Sequence, residues 1–320
     1  MFLASVLFCL ALNFKQMALY YAPAFFLYLL RWSYLAPTLR GKAARLATCA
    51  SAVLLAFAAC WAPLLAHGPD VAVQALRRVF PVGRGLFEDK VANFWCTVNP
   101  VLKPRERLTA LALVGLAAAL TLVGLAPSAW VLWRGRTRAG DTDWFGDLRW
   151  LLFASSSSFF LFSYHVHEKS VLLPCVAALL LLDELPLAMT AYQVLAVYSM
   201  APLLHKDGVL PSTMCATGMF GVWIAFNHER RLREAVDAAP HLLWGLALTM
   251  LVPGVVLSLL VATETRSPLP GKWPDLWVVV LEAHAFVGLL AFHAFACVTH
   301  YRRAWAAGFG ANAVLHEHRD

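Results

Sequence analysis

Two short polar stretches carry most of the groups in this chain that could do chemistry. One is residues 80–96, FPVGRGLFEDKVANFWC, and the other is residues 163–170, SYHVHEKS. The first sets Arg84 between Gly83 and Gly85, follows it with Glu88, Asp89 and Lys90, and interleaves Phe80, Phe87, Phe94 and Trp95. The second places His165, His167, Glu168 and Lys169 in a connector of a few residues between two apolar runs. Arginine offers a phosphate a planar bidentate fork and lysine a point charge, so Arg84 and Lys169 could hold one between them. His167 could donate a hydrogen bond to that phosphate or to a leaving oxygen. Glu88 or Asp89 could act as a general base, although Arg84 and Lys90 beside them fit a structural ion-pair network equally well.

A metal is a poorer reading of the same residues. His165 and His167 are two apart and do not share a helix face, and no further ligand spacing completes a set with Glu168. Glu282 and His284 in the last apolar run repeat the same unfavourable spacing, and His293 lies nine residues beyond His284. No metal and no cofactor is therefore expected. The competing reading of the two stretches is a solvated connector with aromatic anchors and a snorkelling lysine at a membrane surface.

Such a surface is what the rest of the chain demands. Of 320 residues, 60% are hydrophobic and only 14% charged, with a mean hydropathy of +0.65. Soluble domains carry roughly 25% charged residues, so the class is an all-α polytopic membrane protein with the lipid bilayer as its surroundings. The net charge of +7 is spread between apolar runs rather than gathered in a tail or stripe, which argues against a nucleic-acid partner. Seven cysteines show no CxxC spacing and mostly sit inside apolar runs, as buried inert thiols do. Residues 2–12 are apolar but, at ~1.5 Å each, reach roughly 17 Å against a hydrocarbon core of about 30 Å. They lack the basic start and cleavage site of a signal peptide, and read as half of a helix.

Taken in order, apolar runs occupy about 17–30, 46–66, 108–133, 150–163, 170–182, 187–204, 212–226, 240–262 and 276–299. That predicts about nine complete spans plus the partial first one. Lys and Arg on alternate sides number fourteen and twelve, a near tie. Setting aside the long segment 67–107 turns this into fourteen against five, which puts residues 31–45, 134–149, 227–237 and the tail on the cytoplasmic side. Segment 67–107, with seven basic residues, then lies on the far side against the trend, as an anionic ligand there would require. SYHVHEKS, NFKQ (13–16), HKDG (205–208) and the Pro-rich loop 263–275 share that side.

Four stretches, NFKQMALYYAPAFF (13–26), FPVGRGLFEDKVANFWC (80–96), VHEKS (166–170) and YSMAPLLHKDGVLPS (198–212), resemble the endoplasmic-reticulum dolichyl-phosphate-glucose α-1,3-glucosyltransferases. GLFEDKVANFWC is similar to the branch that adds the first glucose. The resemblance implies a GT-C type transmembrane helix bundle in the endoplasmic-reticulum membrane. It implies transfer of glucose from dolichyl-phosphate-glucose to Man9GlcNAc2-diphosphodolichol during assembly of the oligosaccharide for N-glycosylation. The implied mechanism is inverting and metal-independent: a carboxylate deprotonates the acceptor hydroxyl, which attacks the anomeric carbon, and phosphodolichol leaves against basic side chains. Arg84, His167, Lys169 and Lys15 are the implied donor-phosphate residues, with Glu88, Asp89, Lys90 and Glu168 supporting them. Neither Glu88 nor Asp89 matches the family's base. Residues 1–320 are thus expected to form one transmembrane domain, the C-terminal part of such an enzyme, with 67–107 a lumenal segment and the N-terminal catalytic loop missing. The second-glucose enzyme, acting on the singly glucosylated acceptor, is the neighbouring reading. A non-catalytic module or transporter is the reading from another class, and no internal repeat of the transporter kind is visible.

Overall fold

The computed structural model describes residues 1–79, 90–134, 144–238, 245, 249–250, 252–264 and 275–306. Its helices in chain order are α1 (Phe2–Phe14), α2 (Ala22–Tyr34), α3 (Leu39–Ala66), α4 (Pro69–Val79), α5 (Phe94–Leu102), α6 (Pro104–Arg107), α7 (Ala110–Arg134), α8 (Trp144–Phe162), α9 (Leu172–Leu179), α10 (Pro186–Ser199), α11 (Ala201–Lys206), α12 (Leu210–Asn227), α13 (Glu229–Ala238), α14 (Val252–Glu264) and α15 (Leu276–Ala304). Two 3₁₀ turns, Gln16–Tyr21 and Glu168–Val171, precede α2 and α9. Among the described residues there is no strand.

Local chemistry sets many of the helix starts. Thr38 caps α3 by accepting from the Gly41 amide at 3.0 Å, and Asn93 caps α5 by accepting from the Cys96 amide at 2.9 Å. Prolines open α2, α6, α10, α11 and α12, where a missing N–H costs nothing.

Helices α3, α7 and α15 are long and apolar enough to cross a bilayer. Their 28, 25 and 29 residues each extend further than the hydrocarbon thickness of about 30 Å. Only 17% and 22% of the apolar windows of α3 and α7 are buried inside the bundle, against 44% for α15. The last helix is therefore central and the other two are peripheral. Around α15 the core is built from Leu151, Phe153 and Phe160 of α8, Ala177 and Ala178 of α9, and Met189, Tyr192 and Leu195 of α10. Outward-facing Leu54, Leu111, Val123 and Phe226 leave large apolar surfaces that only lipid would cover without penalty. The chain is an all-α membrane protein.

Two apolar runs of the sequence do not become single long helices. Run 170–182 is a 3₁₀ turn, the eight residues of α9 (about 12 Å long) and a turn. Run 187–204 is divided at Met200 between α10 and α11. Pro174, Cys175, Ala177 and Ala178 of α9 are buried against protein, so their apolarity reports core packing rather than lipid contact.

The serine run behaves as close-packing chemistry. A Cβ built on Gly124 would lie 2.7 Å from Ser158 Oγ, so α7 and α8 touch there because that residue is glycine. Ser155 donates to the Tyr20 carbonyl at 2.7 Å, and Ser157 shares a hydrogen bond with His293 Nδ1 at 2.7 Å. All seven cysteines are free; Cys9, Cys49, Cys175 and Cys297 are buried, Cys60 and Cys96 half-buried, and Cys215 exposed.

Candidate functional site

Five segments far apart in sequence meet at one end of the bundle. The 3₁₀ turn after Lys15 is tied to the VHEKS turn: Tyr21 Oη donates to the Leu173 carbonyl at 2.6 Å, and Tyr20 stands beside Ser163 and Ser170. The start of α5 is tied to the end of α8 by the Trp95 indole, which donates to the Phe162 carbonyl at 2.8 Å. Trp95 is 1% exposed, so this bond is shielded from water and holds residues 93–95 against 162–164. Phe94 packs on both Phe162 and Phe286, joining the same corner to α15. The loop after α11 is reached by Lys169, whose Nζ lies 3.7 Å from Asp207 Oδ2.

Lys90 forms a second cation at this end, 2.5 Å from Asp275 Oδ1 just before α15. Almost two turns into α15, Glu282 lies within electrostatic reach of both Lys90 and Glu168. His284 is anchored from two sides, by Tyr198 Oη on Nδ1 at 2.9 Å and the Thr249 carbonyl on Nε2 at 2.7 Å. The chain thus brings residues 13–21, 90–95, 163–170, 198–207 and 275–286 into one polar and aromatic corner.

The expected site residues fall as follows. Lys169 and His167 are exposed, Glu168 is half-buried, and all three sit on the turn that starts α9. His167 has extended backbone, and its carbonyl accepts from the Ser170 amide at 2.9 Å. His165 turns its ring edge-on to Tyr164 instead. Lys15 is exposed at the end of α1, also with extended backbone, next to the turn that Tyr20 and Tyr21 fasten to the VHEKS segment. Lys90 is engaged with Asp275. Arg84, Glu88 and Asp89 lie outside the described residues. Among the described residues, no group of three or more His, Cys, Asp or Glu side chains is placed to hold a metal ion.

Sequence reasoning overlooked Asp207, Asp275 and Glu282 as neighbours of the two lysines. A signal for the first two was available, because charge counting already set HKDG and the Pro-rich loop on the same side as VHEKS. Glu282 gave no such signal, since depth inside a helix bundle is not a property of sequence spacing.

Chemically, the corner offers cations whose present partners hold them weakly. Both lysine pairs are about half-exposed, where an ion pair contributes roughly 0–1 kcal/mol. A phosphate arriving there exchanges a single carboxylate contact for an anion with several acceptor oxygens. Phe94, partly exposed and backed by buried Trp95 and Phe286, gives an aromatic flank against which a lipid chain or a sugar face can rest.

Comparison with known proteins places this geometry in context. The ALG6, ALG8 glycosyltransferase family matches residues 1–296. A protein of Drosophila melanogaster described as a probable dolichyl pyrophosphate Man9GlcNAc2 alpha-1,3-glucosyltransferase is 36% identical over 280 residues, covering 87% of this chain and 56% of that protein. The dolichyl pyrophosphate Man9GlcNAc2 alpha-1,3-glucosyltransferase of Mus musculus is 36% identical over 299 residues, covering 87% and 57%. Its namesake in Saccharomyces cerevisiae is 34% identical over 332 residues, covering 94% and 57%. The chain spans little more than half the length of these curated relatives.

Proposed function

Since this chain belongs to the ALG6, ALG8 glycosyltransferase family, we propose that it carries the donor-phosphate site of a dolichyl-phosphate-glucose-dependent α-1,3-glucosyltransferase. The reaction is transfer of glucose to Man9GlcNAc2-diphosphodolichol, the first-glucose step of lipid-linked oligosaccharide assembly for protein N-glycosylation. The observation that carries this reading is the convergence of the Lys15, Lys90, VHEKS and HKDG segments at one end of the bundle, with Lys169 and Lys90 in weak, exchangeable ion pairs.

In this reading Lys169 and His167 contact the phosphate of dolichyl-phosphate-glucose, with Lys15 and Arg84 completing the cationic ring. Their positive charge stabilises the phosphate oxygens as the bond to the anomeric carbon breaks and phosphodolichol departs. Lys90, Glu168, Glu88 and Asp89 support that ring. The general base that takes the proton from the acceptor hydroxyl is assigned to none of these residues. The acceptor in the relatives' names, Man9GlcNAc2 on dolichyl pyrophosphate, supports the first-glucose branch over the second.

The same reading makes the bundle a GT-C type fold with about nine complete crossings, forming one transmembrane domain over residues 1–320. It sets the enzyme in the endoplasmic-reticulum membrane with the site on the lumenal face. With segment 67–107 set aside, the excess of Lys and Arg in the loops of the opposite side, fourteen against five, supports that orientation.

The test is transfer of labelled glucose from dolichyl-phosphate-glucose in microsomes lacking the endogenous first glucosyltransferase. Residues 1–320 are expressed alone and joined to the N-terminal region of a relative. Transfer to Man9GlcNAc2-diphosphodolichol, lost with Lys169→Ala, is the expected result. Transfer that is untouched by Lys169→Ala would remove the phosphate assignment. Transfer only to the singly glucosylated acceptor would replace the first-glucose reading with the second.

A further inference from the structure

Glu282 is a buried polar group near the start of α15 that the phosphate site does not use. It is 3% exposed, and its Oε2 has no hydrogen-bond partner. Two histidines of the same helix show the ordinary solution. His293 is engaged by Ser157 on Nδ1 and by the Gly124 carbonyl on Nε2, and His284 by Tyr198 and Thr249. An acid left unsatisfied inside a membrane helix is costly and is retained where it serves a ligand or a pathway.

Its position says which ligand. Asp275, which caps Lys90, and Glu282 are seven residues apart and so lie on the same face of α15, with Glu282 about 10 Å deeper. One turn further, Phe286 meets Phe94 of the aromatic flank. Glu168 and Lys90 are the charges within reach of Glu282. Glu168 directly precedes Lys169, the proposed phosphate contact, so Glu282 lies below the phosphate and toward the bundle interior. A phosphate there would be repelled by Glu168. A sugar hydroxyl would not, because a carboxyl group can pair with it whether or not it is ionised.

We infer that Glu282 receives the transferred sugar: Oε2 accepts a hydrogen bond from a ring hydroxyl of the donor's glucosyl group, while the phosphate attached to that group is held above it. The inference rests on the glucosyltransferase reading. It makes Glu282 a specificity residue for the sugar, separate from the lysines that read the phosphate. Recognition through a buried, otherwise unpaired acceptor discriminates strongly, because a sugar lacking the hydroxyl leaves that acceptor unsatisfied.

The experiment crosses enzyme variants with donor analogues, using the form of the protein that transfers glucose in the microsomal assay. Wild type and Glu282→Leu, which removes the acceptor, are each given dolichyl-phosphate-glucose and its 2-, 3-, 4- and 6-deoxy analogues. Glu282→Leu is expected to raise KM for the natural donor by about tenfold to a hundredfold, the scale of leaving one buried hydroxyl unpaired. One deoxy donor should be equally poor with both proteins, erasing the difference between them. KM for the oligosaccharide acceptor should not change. A uniform loss across all donors, or a loss seen in the acceptor's KM instead, overturns the inference while leaving the glucosyltransferase reading intact. Failure of the wild-type protein to transfer glucose at all overturns both. Thermal unfolding in detergent supplies a readout independent of activity. Glu282→Gln and Glu282→Leu should unfold at the wild-type temperature or above it, since no native bond is removed. A drop of several degrees in both would identify a structural acid and overturn the assignment.

Discussion

The two ends of the bundle carry the same kinds of charge and use them in opposite ways. At the end opposite VHEKS, Glu184 receives Arg149 of α8 at 2.6 Å and both of its oxygens are met by Arg303 of α15 at 2.6 Å. Arg149 also donates to the Leu180 carbonyl, and all three side chains are largely sheltered. At the other end, Lys169 stands 3.7 Å from Asp207 with two-thirds of its side chain exposed, and the Lys90 pair is similarly open. Planar guanidinium groups with several donors lock a carboxylate in place, whereas a lone ammonium in water holds one loosely. The first arrangement clamps α8, the turn after α9 and α15 together. The second leaves cations available for an anion that arrives later. Counting charges per end would have missed this difference, because burial and donor geometry decide it.

The contrast can be broken most directly at Lys169. Lys169→Ala should lower glucose transfer by about a hundredfold, the scale of losing a charged contact to a reacting phosphate. Its unfolding temperature should stay within about a degree of wild type, because an exposed pair contributes little. Destabilisation with normal transfer would mean that this end is structural as well.

Glu184→Ala is the mirror experiment. Leaving Arg149 and Arg303 facing each other without their carboxylate should cost about 2–3 kcal/mol in unfolding measured in detergent, somewhat less than a fully buried pair because Glu184 keeps some solvent contact. Donor KM of the folded fraction should be unchanged. A raised KM would show that the two ends are coupled through α15.

Trp95→Phe probes the corner that positions the site rather than its charges. Loss of the indole bond to the Phe162 carbonyl should cost about 1–2 kcal/mol in stability, with a KM rise of a few-fold. The smallest expected effect is at Asp207. Asp207→Asn removes the competitor for Lys169 and should lower donor KM by roughly twofold, an exposed-pair effect that high salt should erase. An increase in KM would mean that Asp207 orients Lys169 rather than occupying it.

Much of the site was legible because polar residues are conspicuous in an apolar chain. VHEKS and HKDG stand out as short charged connectors, and alternating the spans places them, with NFKQ, on one side. The pairings within that side were not legible. Lys90 reaches Asp275 across 185 positions of sequence, and the alternative partners Glu88 and Asp89 sit beside it in the chain. Span boundaries were legible for α3, α7 and α15, whose apolar stretches face lipid or a central core along their whole length. They were less so for α9, whose apolar residues are buried in protein after a single short run.

By itself, the sequence determined that this is a helical membrane protein and that the short charged connectors NFKQ, VHEKS and HKDG share a side. Hydropathy and charge act residue by residue, so a linear reading captures them. Tertiary structure alone decided that Arg149, Glu184 and Arg303 close on one another while Lys169 and Lys90 stay exchangeable, and that Glu282 is buried without a partner beneath them. Those outcomes depend on which helix faces meet and how deeply, and a carboxylate's worth changes with its surroundings far more than with its neighbours in the chain.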